Sequence, residues 1–254
     1  MTIRQFINNL NLMFPKTLSA EWDCDGLQCC ADPERELRRV LVALDATEKV
    51  IDCAIDGGYD LILTHHPMIF GKTGDIVPER LYGNRIIKLI AAGVSAASFH
   101  TRLDAGEGGV NDCLAEALGF SETDVFGDAE MPTVGRVITL DDLITADELC
   151  DRVKTMLGSP SVRLTGDGDV QTVALLGGSG KDFIGPAQDF GADAIITGEV
   201  PYNTALDMAE SGMVIIEAGH YYTEFPVCER LADLVRKIAG AAAVVYDEHP
   251  QKYF

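Results

Sequence analysis

The chain has 254 residues, 47% hydrophobic and 24% charged, which suits a globular protein with a sizeable core in one large domain or two modest ones. Twenty Lys and Arg against forty Asp and Glu leave a formal charge of −20. That surface repels phosphate backbones and anionic lipid, so no nucleic acid and no membrane is expected as a partner.

The apolar run Arg39–Asp45 predicts a buried strand, and Thr47–Gly57 the helix after it, with Thr47 as N-cap and Glu48 in the first turn. Asp60–Thr64 reads as the next strand, Glu79–Ala92 as the next helix and Val94–Phe99 as the third strand. Gly109–Gly119 is a short helix closed by Gly119. Later the pattern returns: strand Thr172–Leu176, helix Asp182–Phe190, strand Ala194–Thr197, helix Asn203–Glu210, strand Met213–Ile216. Such alternation defines an α/β class, with largely parallel sheets covered by helices. The match is local too. Gly58-Tyr-Asp-Leu-Ile-Leu-Thr-His-His66 aligns with Gly191-Ala-Asp-Ala-Ile-Ile-Thr-Gly-Glu199, so two structural repeats are expected. Gly71–Pro78 is an extra loop of the first copy, and Thr123–Gly135 and Gly158–Asp169 are turn-rich stretches where a boundary can fall. The longest apolar stretch, Ile238–Val245, is too short to span a bilayer, and the amphipathic Met1–Pro15 segment is neither signal peptide nor anchor.

Five histidines carry the chemistry worth weighing. His65 and His66 follow a buried strand, His100 and His220 each end a later strand, and His249 reads as a surface residue. Functional groups in open α/β sheets collect at the carboxyl ends of strands, where loops converge. Asp104 lies just past the third strand, and Glu224 stands four residues after His220, on one face if a helix begins there. A histidine at a strand end is commonly a hydrogen-bonded structural residue. A tandem pair with two further ionisable clusters at later strand ends instead suits two divalent cations. Mixed imidazole and carboxylate donors favour zinc, iron, manganese, nickel or cobalt over magnesium or calcium. Two such ions and two carboxylates leave about +2 of charge to hold hydroxide or an anionic substrate. Successive residues leaving a strand point in different directions, so His65 and His66 can serve separate metals. His100 is either an orienting group for Asp104 or an acid–base residue.

Other motifs are weaker. Leu176-Gly-Gly-Ser-Gly-Lys181 fails as a phosphate loop, because Leu175 stands where a glycine is required and Asp182 where Ser or Thr is. It reads as a tight strand-to-helix turn that can still offer backbone N–H groups to a ligand. No G-x-S-x-G elbow exists. Seven scattered cysteines without C-x-x-C, including Cys24, Cys29 and Cys30, read as reduced thiols and small apolar groups, and the expected location is cytoplasmic.

Taken in order, Trp22-Asp-Cys-Asp-Gly-Leu-Gln28, Thr64-His-His-Pro67, His100-Thr-Arg-Leu-Asp104 with Gly109-Val-Asn-Asp112, Gly177-Gly-Ser-Gly180, Thr197-Gly-Glu199 and Gly219-His-Tyr-Tyr-Thr-Glu224 resemble the GTP cyclohydrolase I type 2 homologue family, the Ngg-interacting-factor-like dinuclear metal proteins. The resemblance runs from about Phe6 to Val235. It implies two intertwined α/β repeats, each with a mostly parallel mixed sheet flanked by helices. The first repeat is expected over 1–124, completed by 225–254, and the second over 125–224. The resemblance also implies a toroidal homohexamer and two divalent metal ions per chain. His65 and Asp104 would hold one metal, His66 and His220 the other, and Glu224 both. Cys24 stands where the family usually has Asn, Arg102 where Asn is frequent, and Tyr202-Asn203 replaces a pair that often includes His. The expected function is a metal-dependent hydrolase with His100 as acid or base, acting on a nucleotide ring, a phosphoester or a cyclic amide. Arg102, Lys72 and Lys181 are the cations available to hold a small-molecule substrate. The alternative is a metal-storage, metal-delivery or scaffold protein that uses the same ligands.

Overall fold

A computed structural model describes residues 1–121, 123–247, 249 and 251–253. The chain opens with α1 (Ile3–Met13), β1 (Gly26–Cys29), β2 (Arg39–Ala43), α2 (Glu48–Asp56), β3 (Leu61–Thr64), α3 (Leu81–Ala92), β4 (Ser95–Ser98), α4 (Thr101–Ala105) and α5 (Val110–Ala117). It continues through β5 (Asp124–Phe126), β6 (Gly135–Thr145), α6 (Ala146–Leu157), β7 (Arg163–Thr165), β8 (Asp169–Ser179), α7 (Ile184–Phe190), β9 (Ala194–Glu199) and α8 (Tyr202–Glu210). The last elements are β10 (Val214–Glu217), α9 (His220–Glu224), α10 (Pro226–Ala239) and β11 (Ala242–Val245). Two compact units result. One holds Met1–Leu103 and the stretch that begins at Cys228; the other holds Asp104–Val227 and the residues from His249 on.

In the first unit the sheet order is β1-β4-β3-β2-β11. β2, β3, β4 and β11 run parallel, and β1 is antiparallel beside β4. Leu41, Ile62, Ala96, Ile51 and Leu89 pack a core between this sheet and its helices. Thr47 caps α2 by accepting from the Val50 N–H at 3.3 Å, as its sequence position predicts.

The second unit has the order β5-β6-β8-β9-β10-β7. β8, β9 and β10 are parallel, while β5, β6 and β7 join antiparallel, so both sheets are mixed. Its core gathers Val173, Leu175, Ile196, Ile216, Leu114 and Leu149. Thr145 and Glu148 form a reciprocal capping box that starts α6 where β6 ends.

The two sheets repeat one plan. β2-β3-β4 with antiparallel β1 corresponds to β8-β9-β10 with antiparallel β7. Leu61 pairs with Val40 and Ser95, and Ala194 with Val173 and Val214, which puts Leu61–Leu63 and Ala194–Ile196 in equivalent strands. The aspartate before each strand does one job twice. Asp60 Oδ2 accepts from the Arg38 and Arg39 N–H groups at 2.9 and 3.0 Å, and Asp193 Oδ2 from Gln171 and Thr172 at 2.9 and 2.8 Å. Each carboxylate thereby sets the register of the neighbouring strand. Removing it strands two backbone donors, at a cost of about 1–3 kcal/mol. Asp193→Ala is expected to lower the melting temperature by several degrees, and thermal unfolding with no shift would contradict this account. Among the described residues no helix is long and apolar enough to cross a membrane.

Candidate metal centre

The site-forming residues follow from where strands end. β3 is buried throughout, and the chain leaves it with His65 fully buried and His66 half-buried. The turn is pinned because Thr64 Oγ1 donates to the His66 carbonyl at 2.7 Å and the His66 N–H to the Leu44 carbonyl at 3.0 Å. The two imidazoles are then anchored from opposite neighbours. His65 Nδ1–H donates to the Phe99 carbonyl just past β4 at 2.9 Å, and His66 Nδ1–H to Asp45 just past β2 at 2.9 Å. His100 Nδ1 faces Asp23 Oδ1 at 3.2 Å. The ring centroids of His65, His66 and His100 lie 4.8–5.7 Å apart, and one donor atom of each lies within 4.8 Å of the others.

In the second unit α9 places His220 and Glu224 one turn apart, with Nε2 and Oε2 3.1 Å from each other. Ligands at bond lengths of 2.0–2.2 Å stand about 2.9–3.4 Å apart on one ion, so this spacing suits a shared metal. His220 Nδ1 is held by Glu199 Oε1 at 3.2 Å. Space for the pair is made by glycine. Gly178, at φ +69°, lies so close that an added Cβ would overlap Glu224 Oε1. A Cβ on Gly198 would stand 2.5 Å from the Gly178 carbonyl oxygen and 2.7 Å from the His220 Cα. Asp104, on α4, is half-buried. The side chains able to hold metal ions are thus His65, His66, His100, Asp104, His220 and Glu224. Their identity fits a transition metal: the imidazoles of His65, His66 and His220, whose Nδ1 faces an oxygen acceptor, leave Nε2 as the coordinating nitrogen.

Several expectations need correction. The Gly177–Gly180 segment does not aim its N–H groups at a ligand. Gly177 donates to Asn111 Oδ1 at 2.7 Å, Gly178 to Thr223 Oγ1 at 3.1 Å and Gly180 to the Glu199 carbonyl at 3.1 Å. β8 extends through Ser179, so the segment ends a strand and serves by its missing side chains. Arg102 is no substrate-holding cation. It is buried, donating to Asp25 at 2.8 Å, to Asn11 at 2.8 Å and to the Phe14 carbonyl at 3.0 Å, with its guanidinium over the Phe99 ring. Lys72 and Lys181 are exposed. None of the seven cysteines is in a disulfide, and burial with the neighbouring Cys30 pushes the Cys29 thiol up, which suits an apolar role.

Asp45, Glu199 and Asp23 each hold the Nδ1 of a candidate histidine, a part that sequence reasoning did not assign to them. Asp23 accepts from His100 and from both the N–H and the hydroxyl of Thr101, at 3.0 and 2.6 Å. Burial raises its pKa, but the bonds from His100 and Thr101 and the charge of His100 outweigh that and hold the carboxyl well below the usual range. A depressed folded value means that Asp23 stabilises the fold above its unfolded pKa of about 4 and loses that contribution as acid protonates it. Asp23→Asn is expected to flatten the acid limb of stability against pH. An acid limb identical to that of the parent chain in urea titrations would contradict this.

A chain of two mixed α/β sheets, with anchored histidines and carboxylates at strand ends, defines a class of protein equipped to hold metal ions. Comparison with known proteins agrees. The description Duf34/NIF3 (NGG1p interacting factor 3) matches residues 1–251, and the chain belongs to that family. It is 36% identical over 242 residues to the GTP cyclohydrolase 1 type 2 homolog of Clostridium perfringens, covering 93% of this chain and 92% of that one. The homolog of Clostridium acetobutylicum is 34% identical over 247 residues, covering 95% and 91%. Among solved structures, the Staphylococcus aureus hypothetical protein SA1388 matches with a TM-score of 0.91 at 26% identity, over 100% of this chain and 99% of that one.

Proposed function

We propose that the chain is a metal-dependent hydrolase with a dinuclear divalent-metal centre, in which His65 and Asp104 hold one ion, His66 and His220 the other, and Glu224 both. The observation that carries this reading is the shared anchoring of the histidines. Each commits Nδ1 to a carbonyl or carboxylate oxygen, which fixes the ring and leaves Nε2 basic. The name of the relatives, GTP cyclohydrolase 1 type 2 homolog, supports hydrolysis of a nucleotide ring, with phosphoester or cyclic-amide hydrolysis as further substrate classes. Bound divalent ions supply Lewis acidity and lower the pKa of water. His100 supplies the proton chemistry. Asp23 holds its Nδ1, so Nε2 takes a proton from the attacking water and returns it to the leaving group. A toroidal homohexamer in the cytoplasm belongs to the same proposal.

The test is a turnover screen of metal-replete protein on nucleotides, phosphodiesters and cyclic amides, beside His100→Ala. A substrate should be found for which His100→Ala loses about 10²–10⁴-fold in kcat while keeping its metal. Full metal content with no turnover on any of the three classes would overturn the hydrolase and favour metal storage or delivery.

A further inference from the structure

We infer that Trp22 and Phe70 form a stacking platform for a planar heteroaromatic ring of the ligand, beside His100. The inference names a substrate class for the proposed hydrolase and rests on that reading. Trp22 is 58% exposed and Phe70 54% exposed, although large apolar side chains gain by burial. Their rings meet edge to face, centroids 5.9 Å apart at 60°. Both rings also meet the His100 ring, at 5.9 and 6.2 Å.

The pair is held in place. Trp22 and Phe70 lie on segments 48 positions apart in sequence, yet Gln28 ties those segments together. Gln28 Nε2 donates to the carbonyls of Ile69 at 2.8 Å and Cys24 at 3.0 Å, and the Ile69 N–H donates to Gln28 Oε1 at 3.1 Å. The Cys24 thiol adds a bond to the Ile69 carbonyl at 3.3 Å and accepts from the Gly71 N–H at 3.5 Å. Two rigid aromatic rings are therefore kept in water next to a cluster of three imidazoles. A flat ring gains stacking on such a surface, whereas a sugar phosphate gains little from it. Laid on Trp22, a ring turns one edge toward His100, whose Nδ1 is held by Asp23 and whose Nε2 is the remaining polar atom. The pattern of one flat apolar surface and one polar edge matches a nucleobase-like heterocycle.

Trp22 is the single tryptophan of the chain, so its fluorescence reports on the platform directly. The experiment titrates the metal-replete protein with GMP, AMP and ribose 5-phosphate, exciting the red edge of the indole band, and measures metal content in the same samples. Both nucleotides should quench, and ribose 5-phosphate, which lacks the ring, should not. Phe70→Ala should weaken nucleotide binding about tenfold, and Phe70→Tyr should restore it. Metal-loaded protein that no nucleotide quenches would overturn the platform while leaving the hydrolase reading intact. Equal quenching by ribose 5-phosphate would also overturn it. So would a Phe70→Ala variant that changes sedimentation but not nucleotide binding, since the rings would then cover a second copy of the chain. Phe70-dependent quenching in protein that takes up no metal would sustain the platform and remove the metal centre.

Discussion

Glu224→Gln is expected to lose metal at both positions of the proposed centre, whereas His66→Ala empties mainly one. The carboxylate is buried, 4% exposed, and lies 3.1 Å from His220 Nε2. Two doubly charged ions repel about four times as strongly as two unit charges at the same separation, and a shared anion is what screens them. Gln keeps the shape and removes the charge. Loss of an orienting partner alone costs a metal site about 10–100-fold, so loss of a shared ligand should exceed about 100-fold in affinity. Folding should survive, because the apolar strands supply the core. Wild-type affinity for two metals in Glu224→Gln, measured by elemental analysis after competition with a chelator, would leave Glu224 an ordinary helical carboxylate.

Gly178→Ala is the second large effect. The backbone there sits at φ +69°, which costs an L-residue about 1–2 kcal/mol, and the new methyl would overlap Glu224 Oε1. The methyl would also lie 3.2 Å from His220 Nε2, so the side chains of both proposed ligands must shift. The expected result is a melting temperature lower by a few degrees together with weakened metal retention. Gly58→Ala offers a control. It shares a positive φ of +61° but has nothing within 4 Å of the added methyl, so it should cost stability and leave metal binding unchanged.

The parts of this fold that were legible in the sequence are those whose signal is local. Leu61–Thr64 and Ala194–Thr197 are short apolar runs after an aspartate, and both emerge as buried strands in equivalent registers. Thr47 and the four-residue spacing of His220 and Glu224 likewise behave as local chemistry dictates. β6 escaped because its second half is mostly exposed and carries Asp141 and Asp142, which masks the alternation of its buried start. The capping box Thr145-x-x-Glu148 was readable and marks the start of α6. Nothing local to Asp45, or to the Thr197-Gly-Glu199 motif, tells which histidine each carboxylate holds. They anchor histidines 21 positions away in sequence, a relation created only when neighbouring strands align. Arg102 misled for the same reason: its partners Asn11, Phe14 and Asp25 come from a different part of the chain, and they take up its Nε and Nη1 donors.

The central claim is that the chain holds a pair of divalent transition metals. Elemental analysis of protein purified under metal-replete conditions, with the chain counted by amino-acid analysis, tests it most directly. The account predicts close to two equivalents of zinc, iron, manganese, nickel or cobalt per chain. Magnesium alone, or no metal, would contradict it.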